Sequence, residues 1–309
     1  MKKLLLLIFS IALLVTGCGD KNVSDKQTNV EGVKSTKAST DTPKDEKQVQ
    51  DKKVIAGTVM AAELLDLLDI DAVGVPSTKK GLPKRYEGIA EIGMSMKPDV
   101  EKIVSLQPDV MISDFALKEA VDGILADQDI EMLYLKNNSY EDVITTLTTL
   151  GEYFGKEEKA KEVIKAMKDT EEKVLASIKD KENPRVMVLF GTTESFMLST
   201  NNSFVGSLIE KLGATNVTDE LSKGAPTPYV PFSLEQAVGL NPDIILRLTH
   251  MEVEASKAAF EKEFSKGLWQ NMKPVQEGKV YDLDHEYFGV TANSHASESL
   301  EKLAEILYK

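Results

Sequence analysis

Two segments of the chain, 134 residues apart, repeat one pattern of residues. PDVEKIVSLQPDVMIS (98–113) aligns without gaps with FSLEQAVGLNPDIILR (232–247). The identical pairs are Glu101 with Glu235, Val104 with Val238, Leu106 with Leu240, and Pro108-Asp109 with Pro242-Asp243. Each copy predicts a helix, a turn ended by proline and a buried strand, and the helix of the first copy is predicted from Pro98 to Leu106. Any helix–turn–strand unit shares some of this pattern, but identity at Glu, Val, Leu, Pro and Asp favours a true repeat. The chain is therefore expected to form two similar lobes.

Short apolar runs alternate with helical periodicity on both sides of residues 156–182. Predicted strands in the first half cover 53–57, 73–75, 110–113 and 131–135, and those in the second half cover 185–190, 244–248 and 280–281. Strands that alternate with helices are typical of a mainly parallel sheet. Thr58 is a predicted cap for a helix through Leu68, and Ser139 and Gly155 are expected to bound another helix.

Residues 156–182 contain neither glycine nor proline and are strongly charged. Val163, Met167, Val174 and Ile178 form a narrow apolar stripe, which predicts one helix of about 25 residues with a thin buried face. The expected fold class is α/β, with two similar Rossmann-like lobes (53–155 and 183–309) joined by this one long rigid helix.

The first 18 residues, MKKLLLLIFSIALLVTGC, have two lysines followed by an apolar run that is short for a membrane span. We expect residues 1–17 to be a signal peptide. Cys18 is the single cysteine of the chain, so it makes no disulfide within it, and its place after small residues predicts lipidation. A plain secretory signal is the alternative. Residues 18–52 lack aromatic residues and are expected to form a disordered tether.

The net charge of the chain is −13, and loss of the two leader lysines makes it more negative. Such a charge is repelled by phosphate backbones and by anionic lipid. We therefore exclude nucleic acid as a partner.

Met96 precedes the first repeat helix, and His250 follows the second repeat strand. Ligands of open α/β sheets bind beyond the carboxyl ends of the strands. A thioether and an imidazole from two lobes are one axial set of a six-coordinate haem iron. The alternative readings are a methionine that fills a gap in the core and a histidine at an ordinary surface position.

Only three histidines exist, His250, His285 and His295, and no two are at helical i, i+4 spacing. This argues against a zinc site or a manganese site that needs paired histidines. His285 is the main rival to His250.

Three stretches resemble one family, the haem-binding lipoproteins of the iron-regulated surface determinant type. They are VGVPSTKKGLPKRYEGIAEIGMSMKPDVEKI, NPDIILRLTH and YFGVTANSHASESLEKLAEILYK. The resemblance covers essentially all of residues 53–309 and extends to the sequence before Cys18. It implies a helical-backbone, class III periplasmic-binding-protein fold. The family's members are substrate-binding proteins of haem ABC transporters, anchored by lipid at the outer face of the cytoplasmic membrane.

The resemblance also implies roles for individual residues. Axial ligation of one haem b falls to Met96 and His250, although Met251 beside His250 departs from the family pattern, as does Met94. The haem propionates are expected at the start of the first helix, with Lys84, Arg85 and Tyr86 as weaker pocket candidates. The residues at that helix start are Thr58, Val59, Met60 and Ala61.

Partners follow from the same resemblance. Glu101 and Glu235 match the glutamates with which the family meets its permease, which works with an ATPase. A monomer is expected, with a cell-surface haem donor upstream.

Three other functions fit the sequence less well. A binding protein for a ferric siderophore or cobalamin is the alternative, but such sites use several basic and aromatic groups, and this chain has three arginines and one tryptophan. An enzyme is disfavoured because the chain has no G-x-S-x-G elbow, no glycine-rich phosphate loop and no paired-histidine motif. A purely structural lipoprotein does not need a cleft between two repeat-bearing lobes.

Overall fold

The computed structural model describes residues 52–222, 226–249 and 252–309. The strands of the first lobe are β1 (Val54–Ala56), β2 (Gly74–Val75), β3 (Ala90–Glu91), β4 (Gly93–Met94), β5 (Lys97–Pro98), β6 (Val110–Asp114) and β7 (Glu131–Leu135). Five of them form a sheet in the order β3-β2-β1-β6-β7, and all of its pairs are parallel. The other two, β4 and β5, pair as an antiparallel hairpin.

Four helices accompany this sheet: α1 (Val59–Leu67), α2 (Val100–Leu106), α3 (Lys118–Leu125) and α4 (Tyr140–Phe154). They cover both faces, because Val54 and Ala56 lie in one buried cluster while Ile55 lies in another with Ile103 and Val121. A parallel sheet requires such cover on both sides.

The capping predictions for α4 are confirmed. The Ser139 hydroxyl accepts a hydrogen bond from the Asp142 N–H at 3.0 Å. At the other end, Gly155 has a left-handed φ of 64°, which a residue without a Cβ adopts at no steric cost.

The long helix predicted over 156–182 is present as α5, from Glu157 to Ile178. At 1.5 Å per residue it spans roughly 33 Å. Its buried side chains form the thin stripe expected of a helix with one covered face, and they are Ala160, Met167, Val174 and Ile178.

The second lobe repeats the strand–helix alternation with additions. Its strands are β8 (Arg185–Gly191), β9 (Phe196–Ser199), β10 (Thr215–Asn216), β11 (Tyr229–Pro231), β12 (Ile244–Thr249) and β13 (Val280–Asp282). The sheet order is β11-β9-β8-β12-β13, and β10 also pairs with β8. Because β9 runs antiparallel to both β8 and β11, the second sheet is mixed, as the mainly parallel prediction allows.

The helices of the second lobe are α6 (Phe204–Lys211), α7 (Asp219–Ser222), α8 (Leu234–Gly239), α9 (Val253–Phe264), α10 (Gly267–Gln270), α11 (Lys273–Gln276) and α12 (Ala296–Leu307). The last of these, α12, packs against α5. One buried cluster includes residues of both lobes and of α5, so the linking helix is part of the core that unites the lobes.

The sequence repeat corresponds to a structural repeat, α2–β6 in the first lobe and α8–β12 in the second. Before the proline of each copy, Gln107 and Asn241 have left-handed φ values of 50° and 45°. One part of the prediction is wrong: the first repeat helix begins at Val100 and not at Pro98. Pro98 lies in β5, and the Asp99 side chain caps the helix by accepting from the Lys102 N–H.

Candidate ligand-binding edge between the two lobes

The start of α1 lies at the carboxyl end of β1. Thr58 has extended backbone angles, and its hydroxyl accepts a hydrogen bond from the Ala61 N–H at 3.1 Å, as its predicted capping role requires. The first N–H groups of a helix have no acceptor within the helix, which leaves those of Val59 and Met60 for other partners. Since the Met60 and Ala61 side chains are buried, this turn offers its backbone and not its side chains.

Met94 and Met96 lie on the β4–β5 hairpin, which follows the carboxyl end of β3. Gly93 opens the hairpin with a φ of +90°, and a Cβ there would stand 3.1 Å from the Asp99 nitrogen. The exposed fractions are 61% for Met94 and 70% for Met96. Neither side chain fills a gap in the core, so that alternative reading is wrong for both. The hairpin presents two thioethers to the space beyond the sheet.

Phe115, which the sequence analysis did not single out, lies at the carboxyl end of β6. It begins a 3-10 helix of three residues and is 57% exposed. The preceding Asp114 carboxylate accepts a hydrogen bond from the Ala116 N–H at 2.8 Å and so caps this turn. Burial raises the pKa of Asp114, while this hydrogen bond opposes the rise. Its place directly after a predicted buried strand was visible in the sequence, but its exposure was not.

The two lobes meet where their edge strands end. The Ala292 N–H, beyond β13, donates to the Asn137 carbonyl, beyond β7, at 2.8 Å. The buried Asn137 amide in turn donates to the Met60 sulfur at 3.0 Å and accepts from the Thr146 hydroxyl at 3.0 Å. The segments that follow the carboxyl ends of the two edge strands therefore meet at Asn137. Sequence reasoning missed Asn137, because one amide carries no periodic signal.

His250 lies outside the described residues, so its role as a ligand stays a prediction. The residue before it, Thr249, ends β12 and is buried, and its hydroxyl has no hydrogen-bond partner within the described part of the chain. Glu252, which precedes α9, has a left-handed φ of +39°. Because β12 ends at Thr249, the described chain stops at the carboxyl edge of the second sheet, the edge at which open α/β sheets bind their ligands.

The two other histidines are described. The exposed His285 follows β13, and its Nδ1 lies 3.7 Å from an Asp284 carboxylate oxygen. His295 precedes α12 and makes an edge-on contact with the Tyr287 ring, with 5.5 Å between ring centroids. No group of three or more His, Cys, Asp or Glu side chains within 52–222, 226–249 and 252–309 is placed to hold a metal ion.

Arg85 and Tyr86 have structural partners. The Arg85 guanidinium contacts three carboxylates, those of Asp66 at 3.0 Å, Asp69 at 2.5 Å and Asp71 at 3.1 Å. Burial lowers the pKa of Arg85, but these carboxylates raise it by a larger amount. Tyr86 is buried, and its hydroxyl donates to the Ile70 carbonyl at 2.7 Å. These contacts argue against a pocket role for either side chain, and we leave both out of the proposed site.

Glu101 and Glu235 are exposed in the first turns of α2 and α8. Val104 and Val238 lie one helical turn further on and are 44% and 37% exposed. The Glu235 N–H and the Ser233 hydroxyl, which donates at 2.9 Å, lower the pKa of the Glu235 carboxyl. Each lobe thus displays an anionic and an apolar group on the same side of a helix.

The predicted signal peptide, Cys18 and the tether of 18–52 lie outside the described residues, apart from Lys52. Within the described ranges no helix combines the length and the apolar character needed to cross a membrane. Two surface grooves run along α5, one bounded by Lys173 and Tyr308 and the other by Thr148 and Ile164. Neither contains a predicted ligand-binding residue.

Comparison with known proteins gives consistent results. The family model described as periplasmic binding protein matches residues 54–287. The high-affinity heme uptake system protein IsdE of Staphylococcus aureus (strain bovine RF122) is 32% identical over 259 residues, 83% of this chain and 87% of that protein. The crystal structure of S. aureus IsdE complexed with heme is 31% identical, covers 84% of this chain and all of that one, and superposes with a TM-score of 0.78.

An ABC-transporter substrate-binding protein from Listeria monocytogenes is 33% identical, with a TM-score of 0.77 over 83% of this chain and 98% of that one. The S. aureus protein SirA complexed with staphyloferrin B superposes with a TM-score of 0.69 over 83% of this chain and 92% of that one. At 19% identity, SirA shows a shared fold alone.

Proposed function

The chain belongs to the periplasmic binding protein family, and from that premise we propose that it is the haem-capturing, substrate-binding protein of an ABC transporter. One haem b is held between the two lobes and is then passed to a permease whose ATPase drives uptake of the iron. The protein acts as a carrier and performs no chemistry on the macrocycle.

The observation that carries the proposal is the position of Met96. Met96 is 70% exposed on the hairpin of β4 and β5, beyond the carboxyl end of β3. Exposing the apolar methionine side chain to water is unfavourable. Binding of a metal by its soft, neutral thioether sulfur would explain why it is exposed there. The end of β12 leads to His250 at the corresponding edge of the second lobe.

Met96 and His250 are proposed to bind the iron from opposite sides. Imidazole nitrogen forms the stronger bond, whereas a thioether is a neutral and weaker ligand. The methionine bond is therefore the one expected to open first when haem leaves for the permease.

The haem propionates are proposed to lie at the start of α1. The unpaired N–H groups of Val59 and Met60 and the positive end of the helix dipole favour carboxylates there. Thr58 contributes by fixing the first turn through its hydrogen bond to Ala61.

The arginine contacts weigh against the ferric siderophore alternative. An anionic chelate needs free cations, yet all three arginines of the chain already bind carboxylates. Arg85 pairs with its three aspartates, Arg185 with Glu220, and Arg247 with Asp282 and Glu261. An apolar ligand that carries only two carboxylates suits this edge better.

The matched helices α2 and α8 are proposed to meet the permease. Glu101 and Glu235 provide anionic groups for arginines of the partner, and Val104 and Val238 add apolar contact beside them. Because the same pair occurs once per lobe, the partner would present two equivalent surfaces. The proposed lipid anchor at Cys18 and the tether keep this carrier beside the permease at the outer face of the membrane.

The test is a titration of the purified protein with haemin, followed by absorption. We expect a saturating one-to-one shift to a low-spin Soret band. Met96→Ala and His250→Ala should each lose or alter that band, because each removes one axial ligand. Met94→Ala and His285→Ala are the matched controls and should retain it.

Two results would change the proposal. Absence of a Soret shift at micromolar protein would overturn haem capture and favour the chelate alternative. A low-spin band that survives His250→Ala but disappears in His285→Ala would keep haem as the ligand and assign the nitrogen ligand to His285.

A further inference from the structure

Large apolar side chains are rarely exposed in this protein. Across residues 52–222, 226–249 and 252–309 only six are exposed, and they are Met94, Met96, Val104, Phe115, Val238 and Leu268. Three of the six, Met94, Met96 and Phe115, stand at the carboxyl edge of the first sheet. An exposed apolar cluster on a soluble protein marks a surface that another molecule covers.

Phe115 and the methionine hairpin are neighbours in space. Helix α3 follows directly on the 3-10 helix that Phe115 begins, and α3 packs against β5. Met96 is the residue immediately before β5. The Phe115 turn and the methionine hairpin therefore lie on either side of the contact between α3 and β5, and we name the three exposed side chains Met94, Met96 and Phe115 the apolar wall.

The wall is held by defined backbone interactions. The Asp114 cap fixes the turn that carries Phe115, since its carboxylate accepts from the Ala116 N–H at 2.8 Å. The hairpin is closed by the Asp99 N–H, which donates to the Ile92 carbonyl at 2.7 Å. Phe115 thus stays exposed because its backbone is fixed at the strand end, and not because the segment lacks structure.

The internal repeat relates Phe115 to the second lobe. With the repeat offset of 134 residues, Phe115 is equivalent to Thr249, the residue before His250. Both follow the same strand of their sheets, β6 and β12, each next to the edge strand that meets the other lobe at Asn137 and Ala292. Phe115 therefore holds in the first lobe the repeat position that comes directly before His250 in the second lobe.

We infer that Phe115 is a further ligand-contacting residue, whose ring packs against the porphyrin macrocycle on the side of Met96. The inference rests on the proposed function, because it concerns the same ligand. Aromatic rings pack against flat π surfaces in offset or edge-on geometry, and such contact favours a planar apolar ligand over a polar ferric chelate. The apolar wall provides selectivity for the macrocycle, while the axial residues provide selectivity for the iron.

The test separates packing from ligation by using two probes, haemin and metal-free protoporphyrin IX. Phe115→Ala should lower the affinity for both probes about tenfold. This is the loss expected when part of an aromatic side chain no longer buries apolar area against the ligand. Met96→Ala should lower the affinity for haemin far more than the affinity for protoporphyrin, because only haemin has an iron that the thioether can bind. Leu268→Ala removes an exposed apolar side chain from the second lobe and should change neither.

Phe115→Tyr keeps the ring and should restore affinity for both probes to within about twofold, since the hydroxyl can remain in water. Unchanged affinity of Phe115→Ala for both probes, in a protein where Met96→Ala loses haemin, would overturn this inference and leave the proposed function intact. Failure of the unsubstituted protein to bind haemin would overturn the proposed function, and this inference with it. Because Phe115 is exposed, a thermal unfolding midpoint equal to that of the unsubstituted protein confirms that Phe115→Ala is folded.

Discussion

The Asp109 and Asp243 carboxylates make the same hydrogen bond in the two lobes. Asp109 accepts from the Lys53 backbone N–H at 2.7 Å, and Asp243 accepts from the Arg185 N–H at 3.0 Å. In return, the Asp109 N–H donates to the Lys53 carbonyl at 2.9 Å and the Asp243 N–H to the Arg185 carbonyl at 2.7 Å. Each aspartate thereby sets the register between the two central strands of its sheet.

Replacing either aspartate should destabilise the fold. We expect Asp109→Ala and Asp243→Ala each to lower the free energy of unfolding by about 1 kcal/mol, the usual net value of one such hydrogen bond. The double variant should lose about the sum of the two, because the sites lie in different lobes. Urea unfolding measures this, with Asp127→Ala at an exposed position as the control. A loss no larger than that of the control would show that the register does not depend on these carboxylates.

The contribution of Asp243 should depend on pH. The hydrogen bond from the Arg185 N–H, together with Lys273, lowers the pKa of Asp243 below its ordinary 3.8. A lowered pKa in the folded state means that the carboxylate stabilises the fold fully above about pH 4 and loses this effect as the pH falls through the folded pKa. The difference in unfolding free energy between the unsubstituted protein and Asp243→Ala should therefore be constant from about pH 5 to 8, because this interval lies above the usual pKa range of aspartate. The difference should shrink in stronger acid. A difference that persists unchanged at low pH would contradict the assignment.

Lys211 ties the second lobe to the first lobe and to α5. Its ammonium lies 2.6 Å from a Glu141 carboxylate oxygen in α4 and 2.7 Å from one of Glu171 in α5, and its side chain is largely buried. Burial lowers the pKa of Lys211, but hydrogen bonds to the two glutamates raise it by more, to above its ordinary 10.5. Its stabilising effect is therefore present below that value and is lost as the pH rises through the folded pKa.

We expect Lys211→Met to reduce the free energy of unfolding by about 2 kcal/mol at pH 7, since two carboxylates then lose their buried cation. Thermal unfolding measures the loss. Lys165→Met breaks an exposed pair with Asp169 on the same long helix and should cost less than about 0.5 kcal/mol. Equal losses in both variants would show that Lys211 contributes no more than a surface pair.

Gly206 and Gly123, both in helices, should respond in opposite directions to alanine. A Cβ on Gly206 in α6 would stand 1.9 Å from the Thr200 carbonyl oxygen, whereas one on Gly123 in α3 meets no atom within 4 Å. Gly206→Ala must displace backbone and should cost about 3 kcal/mol or more. Gly123→Ala should add up to about 1 kcal/mol, because glycine is a poor helix former. Chemical denaturation distinguishes the two, and a neutral Gly206→Ala would contradict the close approach of α6 to Thr200.

The paired helices α2 and α8 predict how the carrier engages its permease. The double variant Val104→Ser/Val238→Ser should lose about 1.4 kcal/mol of apolar burial at the docking contact. The carrier concentration that gives half-maximal stimulation of the transporter ATPase should therefore rise about tenfold. Haemin titration of the same variant should be unchanged, because neither valine is among the proposed ligand-contacting residues. Leu268→Ser is the control for exposed apolar loss elsewhere. Normal stimulation by the valine variant would limit the docking contact to the glutamates.

Features with long or repeated patterns were predictable from the sequence. Helix α5 has a buried stripe spread over about six turns, so several positions support the same helix prediction. The repeat shows the same helix–turn–strand unit twice, so each copy supports the prediction for the other. The caps at Thr58 and Ser139 were predictable because they depend on local chemistry only.

Features made by tertiary pairing were not predictable. The hairpin of β4 and β5 has strands of two residues, which is too short for an alternating pattern, and so Pro98 was assigned to a helix. Phe115 and Asn137 are single residues after strands, and their exposure or burial depends on the whole fold. The role of Arg85 is an exception, because the three aspartates at 66, 69 and 71 are visible in the sequence and indicate ion pairs with a nearby arginine.

The seam along α5 has a further consequence for how the carrier is recognised. The buried stripe of α5 recurs every seven residues, at Ala160, Met167 and Val174, and packs this helix into the core shared by the lobes. A rigid helix as the link between lobes limits hinge closure to small movements. We therefore expect the spacing between the Glu101 and Glu235 faces to stay nearly constant when the proposed ligand binds. Under the proposed docking, empty and loaded carriers would then present almost the same surface and would compete for each permease. The rate of uptake would depend on the ratio between the two populations, and not on the loaded population alone.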